Sequence, residues 1–548
     1  MTSTEMQPTM MAFPMTTQMI LRHGARLHGR AEIVSFDGSG FSRASYAAVA
    51  DRAARLAAAL AALGVRANDR VATYCWNHQP HFEAYLAVPA MGAVLHTLNV
   101  RLSADQIGYI ARHAEDRVLI ADASLIGQIA HILGSIPSLE AVILVGEMVD
   151  LPDFAGRVIC YDALLGDQAP LVDWPDIQEN SAAVACYTSG TTGDPKGVVY
   201  SHRSIFAHSL ASMGVDTFAI SQSDRILLLP PMFHANAWGL PFSGWFAGST
   251  FILPGPHLQP GKVRRMIKAE RPTFVSTVPT ILNDLLREHA TAPIGMECFR
   301  VIVSGGSAVS PALIERVRET WNIPVVQGWG MTETSPLCVL SHPPLGTPTE
   351  QELDWRAKSG RPVPGVEVRI VDDDGERLPE DGSAVGALEL RGPWIARGYH
   401  ARESADVLSP DGWLRTGDVG TIDPLGYVQI TDRVKDIIKS GGEWVSSVDI
   451  ENRLASLPEV AEVAVIAVPD PRWEERPLAL IVATTPDSLH PAALRGRLMT
   501  TMPKFCVPEY WAEVSSLPRT SVGKIDKRAL RAAVADGTIR YVREEAIL

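Results

Sequence analysis

The sequence predicts an α/β fold with a large N-terminal domain of βα-type sheets flanked by helices, a small β-barrel-like subdomain, and a small α+β C-terminal domain. Strand-like runs alternate with helical segments through the first two thirds of the chain, and from about Pro362 the pattern changes to short alternating strands. Strands separated by helices form parallel sheets that helices cover on both faces. A length of 548 residues is also too long for one ordinary core.

The first predicted elements alternate between helix and strand. Residues 45–63 carry an apolar residue every three or four positions, which predicts an amphipathic helix that ends at Gly64. A strand-like run at 70–75 and a helical stretch at 81–91 follow. Further strand-like runs lie at 118–122, 141–146, 225–230, 273–279 and 300–306.

The last third of the chain predicts two smaller units. Residues 366–376 contain an Asp-Gly turn between runs of alternating apolar and polar residues, and residues 423–430 show a similar pattern. This pattern is typical of short antiparallel strands. A compact pattern of helix, strand and helix follows Asp432. The predicted domains are therefore a large one at 1–432, a connecting stretch at 433–436 and a small one at 437–548.

The composition limits the kinds of partner. A net charge of −13 argues against a general nucleic-acid-binding or anionic-membrane surface. The six cysteines are far apart and form no C-x-x-C pair, so neither a disulfide framework nor a zinc site is expected. Residues 1–18 lack the basic start and long apolar run of a secretion signal, and no run of about 18 apolar residues could span a membrane. The predicted location is the cytoplasm.

The strongest local signal is the string YTSGTTGDPKG at 187–197. Its three glycines allow backbone N–H groups to wrap an anionic phosphate, its Ser and Thr hydroxyls add donors, and Lys196 adds a positive charge. It is not a Walker A loop, because Lys196 is followed by Gly197. A merely flexible turn would not need hydroxyls and a lysine at this density, so the string predicts a phosphate-binding loop.

Five further strings follow in a fixed order. They are QGWGMTET at 327–334, LRTGD at 414–418, TDRVKD at 431–436, SGGEWV at 440–445 and PRTSVGKID at 518–526. Together with the phosphate loop, they resemble the signature motifs of the acyl-adenylate-forming superfamily, which includes acyl-CoA synthetases, peptide-synthetase adenylation domains and firefly luciferase. The resemblance covers about residues 20 to 530.

The resemblance implies an ATP site. Trp329 would stack on adenine, Thr332 would contact the α-phosphate and Glu333 would hold Mg²⁺, with Thr188 as a further metal or phosphate contact; an aromatic face suits a purine and a carboxylate suits a hard dication. Asp418 would accept hydrogen bonds from both ribose hydroxyls. The other residues of the implied ATP site are Ser189, Gly190, Thr191, Thr192, Gly193, Lys196, Gly305, Gly306, Ser307, Gly328, Gly330, Met331, Arg433 and Lys524.

The resemblance also implies a mobile C-terminal domain and two half-reactions. In the first, Lys524 would bridge the acid's carboxylate and the ATP α-phosphate while acyl-AMP and pyrophosphate form. The small domain would then rotate about Lys435 and bring in a loop that lines the tunnel for coenzyme A, whose thiol attacks the acyl carbonyl. The tunnel residues would be Lys435, Lys439, Ser440, Gly441, Gly442, Glu443 and Trp444.

The segment 231–240 (PMFHANAWGL) is expected to line the acyl pocket. It resembles the corresponding stretch of medium- and long-chain fatty acyl-CoA synthetases, where a tryptophan like Trp238 gates an apolar tunnel and His234 lies beside the reacting carboxylate. Asn236, Gly239 and Gly305 would complete the pocket. No charged residue lies between 231 and 242, which favours an alkyl chain. A medium- to long-chain fatty acid is therefore predicted; 3-methylthiopropionate and aryl acids remain alternatives.

Three other functions compete with this one. An acyl-AMP ligase that loads a carrier protein often carries an insertion, and no extra segment is evident between Gly360 and Asp432. Luciferase-type oxygenation is a second alternative. A degenerate, non-enzymatic member would lack Lys524, Glu333 or Asp418, and all three are present. The expected partners are a carboxylic acid, ATP with Mg²⁺, coenzyme A and a second copy of the chain in a homodimer.

Overall fold

The computed structural model of the chain describes residues 6–188, 194–402, 407–433, 435–440, 443–485, 489–520 and 525–544. It confirms the predicted fold class, with parallel sheets and helices in a large N-terminal domain and a smaller C-terminal domain. None of the described helices is both long enough and apolar enough to cross a membrane.

The helices of the described residues are numbered in chain order. They are α1 Thr17–Leu27, α2 Tyr46–Ala62, α3 Gln79–Ala90, α4 Ala104–Ala114, α5 Ala123–Ile126, α6 Ala130–Leu133, α7 Tyr161–Gly166, α8 His202–Met213, α9 Ala235–Trp238, α10 Leu240–Ala247, α11 Pro260–Glu270, α12 Pro279–Thr291, α13 Pro311–Trp321, α14 Glu352–Arg356, α15 Ser447–Ala455, α16 Pro491–Met499 and α17 Lys527–Ala535.

The strands are numbered in the same way. They are β1 Glu32–Phe36, β2 Phe41–Ser45, β3 Arg70–Tyr74, β4 Val94–Thr97, β5 Asp116–Asp122, β6 Ala141–Val145, β7 Arg157–Cys160, β8 Ala182–Thr188, β9 Lys196–Ser201, β10 Arg225–Leu228, β11 Thr250–Leu253, β12 Phe274–Thr277, β13 Val301–Gly305, β14 Val325–Trp329, β15 Val339–Leu340, β16 Arg361–Pro362, β17 Glu367–Val371, β18 Gly386–Arg391, β19 Leu414–Ile422, β20 Val428–Arg433, β21 Ile438–Ser440, β22 Glu443–Val445, β23 Val460–Asp470, β24 Glu474–Ala483, β25 Tyr510–Glu513 and β26 Val542–Arg543.

Two large sheets form the N-terminal domain. One has the order β7-β6-β5-β3-β4-β8-β9 and is parallel except for the β8–β9 pair. The other has the order β16-β15-β14-β13-β12-β10-β11-β1-β2 and is parallel from β14 to β1. Ligand sites in such sheets lie beyond the carboxyl ends of the parallel strands, which here include the ends of β13 and β14.

Two smaller sheets follow in the last third of the chain. The segment predicted to form a β-barrel-like subdomain folds as the antiparallel sheet β17-β18-β19-β20. The C-terminal sheet has the order β22-β21-β24-β25-β26, with β23 also paired to β24. The helix α15 of this domain begins after Ser446, whose hydroxyl accepts a hydrogen bond from the backbone N–H of Asp449, a standard N-terminal cap.

Three histidines buried in the N-terminal domain are expected to make the stability of the fold depend on acid pH. Burial lowers the pKa of His81 to about 3, that of His202 to about 4 and that of His208 to about 3. In the unfolded chain they titrate near 6.5, so below that pH the unfolded state binds protons that the folded state does not. We expect the free energy of unfolding to fall as the pH drops from 6.5 towards 4, by up to about 1.4 kcal/mol per pH unit for each histidine.

Urea unfolding followed by tryptophan fluorescence at pH 7.5, 6.5 and 5.0 measures this effect. The unfolding midpoint is expected to fall slightly between pH 7.5 and 6.5, where the unfolded histidines begin to bind protons, and to fall much further at pH 5.0. Replacing the exposed His131 by Asn should not alter that dependence. Equal midpoints at all three pH values would show that the three histidines do not control the acid side of the stability curve.

Candidate active site

The two ends of the predicted phosphate loop lie side by side. Thr188 ends β8 and Lys196 begins β9, and the two residues pair directly in the antiparallel ladder. The Thr188 hydroxyl donates to the Lys196 carbonyl at 3.4 Å. The remaining predicted loop residues, Ser189, Gly190, Thr191, Thr192 and Gly193, lie outside the described residues.

Tyr399 links the two predicted phosphate-site motifs. Its hydroxyl donates to Glu333 Oε1 at 2.5 Å, and the ammonium of Lys196 lies 5.0 Å from the centre of its ring. Burial, followed by the nearby Glu333 carboxylate, raises the pKa of Tyr399. At these distances the phenol remains protonated and can act as a donor to Glu333. Tyr399 was not predicted from the sequence; the pattern Arg-Gly-Tyr in a loop carries no signal of its own.

The turn that carries Glu333 is anchored on two sides. It follows β14 as a short 3-10 turn at Thr332–Thr334. The Tyr200 hydroxyl donates to the Thr332 carbonyl at 2.7 Å, and the N–H of Ala396 donates to the Glu333 carbonyl at 2.8 Å. Glu333 is only 5% exposed. The backbone of the turn is therefore held by contacts from β9 and from the segment that precedes Tyr399.

The residues of this turn fit a magnesium ion by their donor chemistry. Among the described residues, the Tyr399 hydroxyl donates a hydrogen bond to the buried Glu333 carboxylate. Thr188 adds a hydroxyl at the end of β8, the strand against which the turn lies. Mg²⁺ in proteins takes one or two carboxylates and completes its shell with phosphate oxygens and water. The Glu333 carboxylate and the Thr188 hydroxyl are both hard oxygen donors, the kind of ligand that Mg²⁺ prefers.

Replacing Gly330 by alanine is expected to disturb the fold strongly, although it adds only one methyl group. A Cβ added there would lie 1.7 Å from the carbonyl oxygen of Pro336, which is backbone and cannot move away cheaply. We expect Gly330→Ala to destabilise the fold by about 1–3 kcal/mol and to displace Met331 and the Glu333 turn. The variant should show a lower melting temperature in thermal unfolding and should lose ATP–pyrophosphate exchange activity. Gly166→Ala, where a Cβ meets nothing within 4 Å, is the matched control; parallel behaviour of the two variants would contradict the prediction.

The predicted adenine and ribose residues meet in one cluster. The indole N–H of Trp329 donates to Asp418 Oδ2 at 2.9 Å, and Arg433 Nε lies 3.4 Å from Asp418 Oδ1. Asp418 and Arg433 are direct partners in the β19–β20 ladder, whereas Trp329 ends β14 in another sheet. The structure therefore brings the three together across about 100 residues of sequence. Stacking on adenine and binding of ribose stay predictions.

The glycines at the ends of β13 and β14 form a close backbone pair beside Trp238. Gly305 and Gly328 are partners in the ladder, and a Cβ on Gly305 would lie 2.6 Å from the Gly328 carbonyl oxygen and 3.4 Å from Trp238 Cη2. Gly306 follows with φ +83°, a conformation that glycine adopts freely, and Ser307 is exposed. The missing side chain at Gly305 lets the two strand ends and the Trp238 ring approach one another closely, next to the predicted acyl pocket.

The predicted acyl-pocket segment contains a left-handed turn. Five consecutive residues have positive φ: Ala235 at 43°, Asn236 at 53°, Ala237 at 47°, Trp238 at 62° and Gly239 at 74°. Each residue other than glycine costs about 1–2 kcal/mol in this region. Such a conformation persists only where the surroundings fix it, and backbone strain of this kind concentrates at functional sites.

Hydrogen bonds within the turn and from neighbouring elements hold it in this conformation. The N–H of Ala237 donates to the carbonyl of His234, which is half-buried, at 3.0 Å. The side-chain oxygen of Asn236 accepts from the hydroxyl of Tyr85 and from the thiol of Cys186, both at 3.3 Å. The left-handed conformation was not predicted from the sequence. The turn directs Trp238 towards Gly305 and buries Asn236 beneath it.

The predicted coenzyme A residues form part of the C-terminal sheet. Lys439 and Ser440 of β21 pair with Trp444 and Glu443 of β22, whose side chains lie outside the described residues. Ser440 is buried and accepts a hydrogen bond from Arg476 at 2.9 Å. Among the predicted residues of the C-terminal domain, Gly441, Gly442 and Lys524 lie wholly outside the described ranges.

The stretch that joins the two domains is held by side-chain contacts. Asp432 accepts hydrogen bonds from both the N–H and the hydroxyl of Ser447, at 2.7 and 2.5 Å. Lys527 donates to the same hydroxyl at 2.6 Å and pairs with Glu451 at 2.7 Å. Lys435, the predicted pivot, has a pKa lowered first by burial and then by Arg433.

A cluster of Cys75, His78 and Asp122 could be mistaken for a metal site, since potential ligand atoms lie within 4.8 Å of one another. Nδ1 of His78 accepts the N–H of His81 at 3.2 Å, so the ring proton is on Nε2, which donates to Asp122 at 2.9 Å. The Cys75 thiol donates to the Ile120 carbonyl at 3.4 Å. These bonds leave no ring lone pair for a metal, and the group caps the start of α3.

Comparison with known proteins gives the family. The chain matches the model of the AMP-binding enzyme over residues 21–400 and that of the AMP-binding enzyme C-terminal domain over residues 449–524. It is 44% identical over 535 residues to a long-chain-fatty-acid–CoA ligase of Thermus thermophilus, across 95% of this chain and 96% of that protein. It is 40% identical over 535 residues to a 3-methylmercaptopropionyl-CoA ligase of Ruegeria pomeroyi, across 96% and 98% of the two chains.

A solved structure agrees with these matches. An anthranilate CoA ligase in complex with anthranoyl-AMP superposes with a TM-score of 0.87 and 26% identity, covering 96% of this chain and 99% of that one. The sequence match therefore extends over both domains and the fold match over nearly the whole chain. The chain belongs to the AMP-binding enzyme family, as an acyl-adenylate-forming enzyme of the acid–CoA ligase type.

Proposed function

We propose that this chain is an ATP-dependent acyl-CoA ligase that activates a medium- to long-chain fatty acid through an acyl-AMP intermediate. The observation that supports the proposal is the uncharged, buried lining of a small cavity beside the Glu333 turn. The left-handed turn at 235–239 forms one side, and Ser335, two residues after Glu333, forms another. Apolar walls with a few fixed polar groups suit an alkyl chain whose carboxylate points at the nucleotide.

The first half-reaction joins two anions, so positive charge and orientation must lower its barrier. Lys196 supplies charge at the phosphates, and His234, at the start of the left-handed turn, orients the carboxylate. Asp418 and Arg433 hold the ribose, with Trp329 against adenine. Magnesium held by Glu333 and Thr188 would supply further neutralisation of the phosphate charge. The carboxylate oxygen then bonds to the α-phosphorus, and pyrophosphate leaves.

The second half-reaction requires the coenzyme A residues to reach the acyl-AMP. We assign the hinge to 433–436, with Lys435 as the pivot between a large domain at 1–432 and a small one at 437–548. The bonds from Asp432 to Ser447 support this division, because they are the contacts that a rotation at Lys435 would rearrange. The thiol attacks the acyl carbonyl, the acyl–phosphate bond breaks and AMP leaves.

The test is coenzyme A-dependent release of AMP by the purified chain with ATP and Mg²⁺. The panel is straight-chain acids of two to eighteen carbons, with cinnamate alongside. Activity that peaks at medium or long chains supports the proposal. Pyrophosphate release without consumption of coenzyme A would instead favour a ligase that loads a carrier protein. No activity with any alkyl acid would overturn the fatty-acid assignment.

A short thioether acid is the second candidate. The 40% identity to 3-methylmercaptopropionyl-CoA ligase is close to the 44% identity to the long-chain enzyme. The cavity between the left-handed turn and Ser335 is also small, about 10 Å³. Adding 3-methylthiopropionate to the panel separates the two candidates, since a preference for it over octanoate would favour the short acid.

A further inference from the structure

A small cavity lies against the left-handed turn and is lined by buried residues. It holds about 10 Å³, which is the room of about one water molecule or methyl group. The turn, helix α8 and the segment after Glu333 enclose it. Its wall residues include Ile205, His208, Asn236, Gly239, Phe242 and Ser335.

His208 closes this cavity on the α8 side. Its ring is 2% exposed, and its Cε1 atom lies 2.4 Å from where a Cβ of Gly239 would be, so the ring rests directly on the turn. Nε2 accepts the N–H of Leu337 at 3.3 Å, and the ring meets Trp394 edge to face at 6.0 Å. Three contacts of different kinds therefore hold the ring in one position.

The wall of the cavity is mainly apolar, and three of its polar side chains are already hydrogen-bonded. The hydroxyls of Tyr200, Ser209 and Ser335 each donate to a backbone carbonyl, at 2.7, 2.7 and 2.9 Å. Burial keeps the imidazole of His208 uncharged and lowers its pKa to about 3. Polar groups that are already paired place no demand on a ligand, whereas an unpaired one would reject a methyl group.

We propose that the imidazole of His208 forms the floor of the acyl pocket and sets the length of alkyl chain that the enzyme accepts. The inference rests on the proposed acyl-CoA ligase function. The turn that carries Asn236 and Trp238 lies between this floor and the strand ends at Gly305, so an alkyl chain that passes the turn ends against the ring. The cavity admits about one methyl group, and the ring excludes the next carbons.

The experiment measures kcat/KM for acids of two to eighteen carbons with the wild type and with His208→Ala. Removal of the ring opens the room of about two methylene groups, and each methylene in an apolar pocket changes kcat/KM by about tenfold or more. We compare kcat/KM for two acids: the one that the wild type prefers and one that is two carbons longer. In His208→Ala, kcat/KM for the longer acid relative to the preferred one should rise at least about tenfold over the wild-type ratio.

Two further variants keep the test decisive. Leu210→Ala lies on the exposed face of the same helix and should leave the chain-length profile unchanged. Ile205→Ala, one turn before His208 in the cavity wall, should shift the profile towards longer acids and carries the test if His208→Ala does not fold.

The outcomes separate the inference from the function on which it rests. Wild-type activity with superimposed profiles for wild type, His208→Ala and Ile205→Ala would overturn the floor assignment alone. A wild type that activates no alkyl acid would overturn the proposed function and the floor with it. A longer preferred chain in the opened variants, with Leu210→Ala unchanged, supports both.

Discussion

Lys524→Ala is expected to slow acyl-adenylate formation by about 100-fold or more, while thioester formation from supplied acyl-AMP stays near the wild-type rate. The ammonium is needed where two anions meet, which is only in the first half-reaction. Lys524 itself lies outside the described residues, but its neighbours are anchored to the small domain. The backbones of Arg519 and Ile525 pair in an isolated antiparallel β-bridge, and the Lys527 ammonium lies 2.7 Å from a carboxylate oxygen of Glu451.

ATP–pyrophosphate exchange measures the first half-reaction, and AMP release from synthetic acyl-AMP with coenzyme A measures the second. Lys504→Ala removes an exposed lysine of the same domain and should leave both rates unchanged. Equal losses in both half-reactions of Lys524→Ala would contradict the rotation of the small domain between them.

Glu333→Gln is expected to lower the rate of pyrophosphate exchange by about 100-fold and to raise the Mg²⁺ concentration required for half-maximal rate. Glutamine keeps the size of the side chain and an acceptor for the Tyr399 hydroxyl, so the turn should retain its shape. What is lost is the negative charge that attracts a dication. Titration of Mg²⁺ at fixed ATP measures both quantities.

Glu350→Gln is the matched control for that substitution, since it removes an exposed carboxylate in the same domain. Its rate and its Mg²⁺ dependence should equal those of the wild type. If Glu333→Gln lowered the rate without changing the Mg²⁺ dependence, the carboxylate would act through Tyr399 and not through a metal ion.

The regular elements could be predicted because their signals are local. The spacing of apolar residues at 45–63 corresponds to α2 at Tyr46–Ala62, and the run at 118–122 lies within β5 at Asp116–Asp122. The proximity of Trp329, Asp418 and Arg433 could be expected only from motif resemblance, and nucleotide binding by these residues stays a prediction. Trp329 and Asp418 meet through the packing of two different sheets, and no short-range pattern encodes that contact.

Two features of the site escaped prediction for physical reasons. Tyr399 takes its importance from Glu333 and Lys196, both distant in sequence, and a single tyrosine in a loop has no distinctive pattern. The left-handed turn contains Ala235 and Ala237, which favour right-handed helix by propensity. Tertiary contacts override that preference here, and propensity alone cannot reveal where they do so.

The left-handed turn has a consequence for how such enzymes diverge. Positions 235–238 tolerate few side chains, because β-branched and bulky residues rarely adopt positive φ, and Gly239 has no room for a Cβ against His208. We therefore expect most substitutions at these positions to destabilise the turn. On the proposal that His208 forms the floor of the acyl pocket, we expect new acid preferences to arise from substitutions in the right-handed helix α8, where any helix-forming side chain that fits the space is compatible with the backbone.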